Sequence, residues 1–141
     1  MTQINAYLIF DGQCREALTF YKECLDAQLE LMLVSESPIA QQFPETMQKK
    51  VMHATLTKGT LLLMGSDMGC ADNSAYAKGN DFSLSLNCSS EQEINRLYKV
   101  LTEGGEVLEA LKVQFWGDWF AAFRDKFGIR WILNYAINKP Q

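Results

Sequence analysis

A repeated order of predicted elements is the feature of this sequence that most limits what it can fold into. Residues 4–10 (INAYLIF) alternate in polarity and predict a strand. Residues 14–25 (CREALTFYKECL) carry apolar side chains at helical spacing and predict an amphipathic helix. The segment 37–48 contains two prolines and is predicted to be a loop. Further strands are predicted at QLELMLVSE (28–36), KVMHATLT (50–57) and TLLLMGS (60–66).

The same order begins again at residue 81, where DFSLSLN (81–87) alternates as a strand does. Ser90 and Glu93 have the spacing of a capping box, which predicts that a helix begins there. The pair Gly104-Gly105 is predicted to end that helix. The last strands are predicted at EVLEALKVQF (106–115), WFAAFRD (119–125) and IRWILNYA (129–136).

Two βαβββ units at a spacing of about 76 residues predict an α+β fold within a single domain, residues 1–141. We expect repeat 1 at about 1–67 and repeat 2 at about 80–141, joined by a loop. One helix covers only one face of a strongly curved mixed sheet, so the other face is left as a concave wall. Two such halves can enclose a cavity for a ligand.

Composition and charge exclude several classes of protein. A net charge of −4, with lysine and arginine scattered along the chain, argues against nucleic-acid binding and against a membrane-surface patch. No apolar run is long enough to span a bilayer, and the N-terminal stretch lacks an export signal, so we expect a cytoplasmic protein. The four cysteines have no CxxC spacing and are expected to be reduced, with Cys14 and Cys24 on a helix face.

Several short motifs, in order along nearly the whole chain, carry a resemblance to a known superfamily. They are YLIFDGQCREALTFY near the start, PETMQKKVMHATL in the middle and DKFGIRWILN near the end. In this order the chain resembles the vicinal-oxygen-chelate superfamily of glyoxalase I, extradiol dioxygenases and bleomycin-resistance proteins, and within it the PhnB-like branch. One departure is Lys126, where many relatives have proline. The resemblance implies a homodimer in which halves of two chains line each cavity, but it does not identify a reaction.

The resemblance also implies where a divalent metal would be held, because each half of the metal-using relatives supplies one ligand from its first strand and one from its last. These positions fall at Asn5 and Leu63 in the first half, and at Asp81 and Ile132 in the second. Leucine and isoleucine cannot ligate a metal, and a shift of one residue offers no better donors. We therefore expect no metal cofactor, although a metal enzyme with its ligands elsewhere stays open.

His53 is the candidate catalytic residue, since histidine is the usual general base at neutral pH. A histidine that is only hydrogen-bonded within a strand is the alternative. Arg124 is a candidate for binding an anionic group, and a surface arginine is equally consistent with the sequence. The row Asp81, Ser83 and Ser85 fits either ligand contact or a solvent-facing strand. The predicted ligand cavity comprises Asn5, Tyr7, His53, Thr55, Asp81, Ser83, Phe120 and Arg124.

The stretch 115–133 holds all three tryptophans and four of the eight phenylalanines. Its alternation places Trp131 on the helix side of the last strand, where it is predicted to be core. Trp116 and Phe120 are the aromatic residues predicted to line a ligand.

The sequence favours a dimeric protein that binds a small organic molecule. The alternative is a divalent-metal-dependent glyoxalase-like lyase or isomerase, or a dioxygenase. A methyltransferase, as some relatives are labelled, is not supported, because no GxGxxG-type loop follows a strand.

Overall fold

The computed structural model describes residues 2–69 and 75–137 of the chain. The chain divides into two compact units, Met1–Ala77 and Lys78–Gln141. Within the described residues, each unit contains one α-helix and one four-stranded mixed sheet in the order β-α-β-β-β, so the predicted α+β fold of two tandem βαβββ units is confirmed. The first unit also contains three short 3₁₀ helices, Val34–Glu36, Ala40–Gln42 and Glu45–Met47. None of the helices in the described ranges is long and apolar enough to cross a membrane.

In the first unit, the sheet has the strand order β1-β4-β3-β2, with β1 parallel to β4 and the other neighbours antiparallel. The helix buries the stripe predicted from its spacing, including Leu18 and Tyr21, against the sheet. The element bounds are β1 Ala6–Ile9, α1 Cys14–Leu25, β2 Gln28–Leu33, β3 Val51–Lys58 and β4 Leu61–Ser66.

The second unit repeats this topology, with the strand order β5-β8-β7-β6 and β5 parallel to β8. Its helix begins after Ser90, whose hydroxyl accepts a hydrogen bond from the Glu93 amide at 3.0 Å. The Glu93 carboxylate reaches back to the amide of Ser89 instead of Ser90, so the capping box is displaced by one residue on that side. The element bounds are β5 Leu84–Asn87, α2 Glu91–Leu101, β6 Glu106–Val113, β7 Trp119–Arg124 and β8 Arg130–Tyr135.

The aromatic side chains of the stretch 115–133 lie partly in the core and partly on the surface. Phe123 and Trp131 are almost fully buried on the helix side of the second sheet, and Phe123 contacts Tyr98 of α2 edge to face. The predicted core position of Trp131 is therefore confirmed. Phe115 and Trp116 lie in the turn between β6 and β7, where Phe115 is 96% exposed. The aromatic residues at the C-terminal end of this stretch therefore pack in the core, and those at its N-terminal end are exposed.

Several predicted elements are shorter than the sequence suggested. Pairing in β5 begins at Leu84, although the alternation of polarity begins at Asp81, and pairing in β1 begins at Ala6. Helix α2 ends at Leu101, before the predicted stop at Gly104. Alternation marks an extended chain, but a strand also requires a neighbouring strand to accept its hydrogen bonds.

Two buried carboxylates hold the ends of strands in place. Asp67, directly after β4, accepts hydrogen bonds from the amides of Gly12, Cys14 and Val51, each at 3.0 Å. It therefore ties the start of α1 and the start of β3 to the end of β4. Asp125 plays a similar part after β7, where it accepts from the Trp131 indole at 2.8 Å and from two amides of the β7–β8 turn.

Candidate functional site

The face of each sheet opposite its helix, called the far face here, is where the predicted site residues of the strands lie. In the first sheet, Ala54 and Leu56 of β3 are buried against the helix, so His53 and Thr55 point to the far face. This is the phase that the sequence predicted for β3. Thr55 is paired in register with Met64, which is in turn paired with Tyr7. The far face of the first sheet therefore brings Tyr7, His53 and Thr55 together.

Tyr7 and His53 are in direct contact on this face. The hydroxyl oxygen of Tyr7 lies 3.1 Å from Nδ1 of His53, and the two ring centroids are 5.6 Å apart. Tyr7 is 46% exposed, and His53 is half-buried. One hydrogen bond thus joins β1 to β3 across the intervening strand β4.

The Tyr7–His53 hydrogen bond leaves one ring nitrogen and the hydroxyl group available to a ligand. If the hydroxyl donates to Nδ1, then Nε2–H is a donor and the hydroxyl oxygen keeps an acceptor lone pair. If Nδ1–H donates instead, then Nε2 is an acceptor and the hydroxyl is a donor. In both tautomers the pair presents one donor and one acceptor to a ligand. The same hydrogen bond can pass a proton between the two groups.

The second sheet places Phe120 and Arg124 on its far face, together with Ala122 and Ile132. The Phe120 ring contacts the Trp116 ring edge to face, with centroids 5.9 Å apart. These are the two aromatic residues that were predicted to line a ligand. Their contact forms an aromatic wall at the end of the β6–β7 hairpin.

Arg124 is already paired within the unit. Its Nη1 lies 2.8 Å from Oε1 of Glu106, its direct neighbour on β6. Both side chains are solvent-accessible, so the pair contributes at most about 1 kcal/mol to stability. An anion would have to share Arg124 with Glu106. This competition could not be predicted from the sequence, because it depends on the register between β6 and β7.

Three predicted site residues lie outside the strands. Asn5 precedes β1, while Asp81 and Ser83 precede β5, and all three are exposed. The prediction that these side chains face the cavity assumed that they lie in strands. Their backbone is not paired in the sheets, so strand alternation does not fix their direction. Their assignment to the site therefore stays a prediction.

The positions expected for a metal do not form a ligand set. Leu63 is 5% exposed and belongs to the helix side of β4, because it pairs with the buried Leu56. The prediction that its side chain points to the far face was therefore wrong. The adjacent residues of β4 that point to the far face are Leu62 and Met64. Ile132 does lie on the far face, where it offers no donor atom. In the described ranges 2–69 and 75–137, no group of three or more histidine, cysteine, aspartate or glutamate side chains is close enough to hold a metal ion.

A surface depression in the first unit contains none of the predicted site residues. It lies at the end of the sheet that carries the β3–β4 turn, where Lys58 donates a hydrogen bond to the Leu25 carbonyl oxygen at 2.9 Å. The lining residues are Asp26, Gln28, Thr57, Lys58 and Gly59. Its walls are polar and exposed, unlike the mostly apolar pockets that bind organic ligands.

The buried cysteines are not candidates for nucleophiles. Burial, together with the smaller effect of the nearby Asp67 carboxylate, raises the pKa of the Cys14 thiol to about 12. Burial likewise raises the pKa of Cys88 to about 12, with Glu93 adding to the rise and Arg96 opposing it. Both thiols therefore remain protonated at neutral pH, whereas a nucleophile would need the thiolate.

Because the pKa values of Cys14 and Cys88 are raised, we expect the protein to lose stability at alkaline pH. In the unfolded chain a thiol releases its proton near its ordinary pKa of 9.0, while the folded chain keeps it until about 12. Between these values the folded state binds more protons, so the free energy of unfolding falls as pH rises. Urea unfolding measured from about pH 8 to about pH 10.5 should show this fall. A Cys14→Ala and Cys88→Ala double variant should show a shallower slope, and an unchanged slope would contradict the prediction.

Arg130 is the residue of potential function that the sequence reasoning missed. It pairs in register with Arg124, so it shares the far face of the second sheet. Its Nε is buried and has no acceptor among the described residues. The sequence alone offered only the weak signal of an arginine next to the DKFG turn.

Several known proteins are similar to this chain in sequence and in structure. The sequence profile of the family described as 3-demethylubiquinone-9 3-methyltransferase matches residues 2–134. Protein PA1353 from Pseudomonas aeruginosa is 39% identical, with 96% of this chain and 98% of that chain covered and a TM-score of 0.83. The PhnB protein from Bacillus cereus is 25% identical, with 96% and 100% covered and a TM-score of 0.77.

Two further proteins are similar to this chain. Protein YjdN from Escherichia coli (strain K12) is 27% identical, with 97% of each chain covered. A glyoxalase/bleomycin resistance protein/dioxygenase family enzyme from Burkholderia phytofirmans PsJN shares the fold at 15% identity, with 95% and 96% covered and a TM-score of 0.62. The chain therefore belongs to the PhnB-like family described as 3-demethylubiquinone-9 3-methyltransferase, and it shares its fold with a glyoxalase/bleomycin resistance protein/dioxygenase family enzyme.

Proposed function

We propose that this protein binds a small organic molecule on the far face of its first sheet without the help of a metal ion. The observation that carries the proposal is the contact between the Tyr7 hydroxyl and Nδ1 of His53 at 3.1 Å. Family and fold support a small-molecule-binding protein of the glyoxalase and bleomycin-resistance type. The Tyr7–His53 pair supplies the polar recognition that such a site requires.

The surroundings of the pair suit an organic ligand. Met32 is the direct neighbour of His53 on β2, and Met64 is the direct neighbour of Tyr7 on β4. Both are half-buried, and thioether side chains adapt to the shape of a bound molecule. A few polar groups set among apolar side chains are typical of small-molecule sites. The ligand class that fits is one with a donor and an acceptor close together, such as a phenol or an enol.

The metal-dependent alternative has weaker support. The donors at the positions implied by the superfamily are Asn5 and Asp81, with leucine and isoleucine at the other two. One amide and one carboxylate do not match the histidine and carboxylate sets that hold catalytic transition metals. The proposed binding therefore requires no metal ion. The homodimer implied by the superfamily remains part of the proposal.

The methyl transfer named in the family description has no support from the residues of this chain. A methyl donor with an adenosine group is commonly held by a glycine-rich loop between a strand and a helix. Here β1 is followed by the short segment FDGQ, and β5 is followed by CSS. Tight binding of S-adenosylmethionine would overturn this part of the proposal.

A titration with 4-nitrophenol tests the Tyr7–His53 site, because the absorbance of this probe differs between phenol and phenolate. We expect Tyr7→Phe and His53→Gln each to weaken binding about threefold to tenfold, the range for one net hydrogen bond. Since both variants remove the same contact, the double variant should lose less than the product of the two effects. Tyr76→Phe removes a tyrosine hydroxyl of the same unit outside the sheet and should leave the affinity unchanged.

The same samples separate the alternatives. Excess EDTA should leave the affinity for 4-nitrophenol unchanged, and added zinc should not raise it. A requirement for one divalent ion per chain would instead support the metal-dependent enzyme. Sedimentation equilibrium, compared with the chain mass of 16.0 kDa, tests the homodimer. Equal affinity in the wild type and in both site variants would refute the proposed role of the pair.

A further inference from the structure

Strand β6, at the edge of the second sheet, exposes apolar side chains on the helix side of that sheet. Val107 pairs with the buried Phe123, and Val113 pairs with Trp119, so both valines lie on the helix side. Val107 is 45% exposed and Val113 is 48% exposed. The charged residues of the strand point to the far face, because they pair with far-face residues of β7; they are Glu106, Glu109 and Lys112. The helix side of β6 is therefore apolar and open to solvent.

The corresponding strand of the first unit is covered by its helix. Strand β2 occupies the same edge position, and its Leu29 and Leu31 pair with the buried Leu56 and Ala54. Helix α1 packs against β2, β3 and β4, and both leucines of β2 are half-buried. Helix α2 packs mainly against β8. The second unit therefore has an apolar outer strand without the cover that the first unit provides.

Further exposed apolar residues lie in the same segment of the chain. Leu108, next to Val107, is 45% exposed, and Phe115 in the β6–β7 turn is 96% exposed. Together Val107, Leu108, Val113 and Phe115 form what is named here the β6 patch. Phe115 alone offers about 150–250 Å² of apolar surface. An exposed apolar cluster of this kind indicates a surface that binds another molecule.

The β6 patch fits a second copy of the same chain. In a two-fold dimer, residue i contacts residue j of the other copy while j contacts i. Val107 and Val113 are each three residues from Ala110, so an axis at Ala110 brings Val107 of each copy against Val113 of the other. The small side chain of Ala110 lets the two strands approach closely. The two register shifts in β6 disfavour hydrogen bonding between strand edges, so the contact is made by side chains.

The dimensions and charges of the strand also suit a dimer. The eight residues of β6, Glu106–Val113, span ~26 Å. A standard interface buries about 800 Å² per partner, which corresponds to a surface about 30 Å across. The charged side chains of β6 keep their water in this arrangement, because they point to the far face.

We propose that two copies of the chain associate through the β6 patch, with the helix sides of their β6 strands facing each other about an axis near Ala110. This inference rests on the homodimer of the proposed function and specifies the surface that forms it. It involves neither Tyr7 nor His53.

Sedimentation equilibrium of Val113→Asp tests this surface. Wild-type protein should have twice the chain mass of 16.0 kDa. Val113→Asp should raise the dissociation constant of the dimer at least about thirtyfold, because it places a charge in a dry apolar contact. Ile39→Asp is the matched control, since it adds the same charge at a 41% exposed apolar residue of the first unit. It should change the dissociation constant less than about twofold, and circular dichroism verifies that both variants fold.

Cross-linking at the proposed axis is a second measurement, which also decides if Val113→Asp does not fold. In a Cys70→Ser background, Ala110→Cys should give a covalent dimer with bismaleimidoethane, because a residue at a two-fold axis lies close to its own copy. The thiols of Cys14, Cys24 and Cys88 are buried. Lys99→Cys places a thiol at an exposed position of α2 and should give no covalent dimer.

The outcomes distinguish this inference from the proposed function. A wild-type dimer whose dissociation constant is unchanged in Val113→Asp, or that gives no covalent dimer in Ala110→Cys, would overturn the β6 interface and leave the homodimer standing. A monomeric wild type would overturn the homodimer and this inference together, and the β6 patch would then have another occupant. The affinity for 4-nitrophenol is measured separately and bears only on the Tyr7–His53 pair.

Discussion

Replacing Asp67 by alanine is expected to destabilise the protein by about 3–5 kcal/mol, which is a large share of the stability of a domain this size. The carboxylate is 7% exposed and accepts three hydrogen bonds from backbone amides. Its removal leaves the amides of Gly12, Cys14 and Val51 buried without acceptors. The effect reaches three elements at once, because Asp67 follows β4 and the amides lie at the start of α1 and the start of β3.

Two comparisons make this prediction specific. Asp67→Asn should cost less than Asp67→Ala, since one amide oxygen can still accept while the NH₂ group faces an amide donor. Asp11→Ala removes an exposed carboxylate from the nearby β1–α1 turn and should change stability by no more than about 0.5 kcal/mol. Denaturation should be followed by circular dichroism, because all three tryptophans lie in the other unit. An Asp67→Ala variant as stable as Asp11→Ala would contradict this account.

The second large effect is expected at Gly105, where alanine should destabilise the second unit by about 2–3 kcal/mol. A Cβ atom at this position would overlap the carbonyl oxygen of Arg124 and would lie 3.0 Å from Cα of Asp125. These are backbone atoms, so no side-chain rotation relieves the contact. The first pair of β6 with β7, Glu106 with Arg124, would have to separate.

Gly104 provides the matched control for Gly105. It has a φ of +74°, and a Cβ there would meet only the flexible side chain of Lys126. Gly104→Ala should therefore cost about 1 kcal/mol, the strain of a left-handed backbone conformation. Tryptophan fluorescence during urea unfolding reports on this unit directly. A greater loss in Gly104→Ala than in Gly105→Ala would mean that the close approach to Arg124 is not the limiting contact.

The order of elements could be predicted from the sequence because each depends on local periodicity. Helix α1 occupies the predicted residues 14–25, and the far-face phase of His53 and Thr55 follows from alternation within β3 alone. Alternation also placed Trp131 in the core. In each case the side chains that set the pattern and the residue in question belong to one element.

The tertiary structure decided what depends on two elements at once. Leu63 was assigned to the wrong face, because the phase of β4 is set by its register with β3 and not by its own run of four apolar residues. The same register between strands joins Arg124 to Glu106 and places Arg130 beside Arg124, where its Nε has no acceptor among the described residues. The sequence by itself therefore determined the fold and the family, since both follow from local patterns in order along the chain. Which polar groups meet, and which are left to meet a ligand, was decided only by strand pairing between residues distant in sequence.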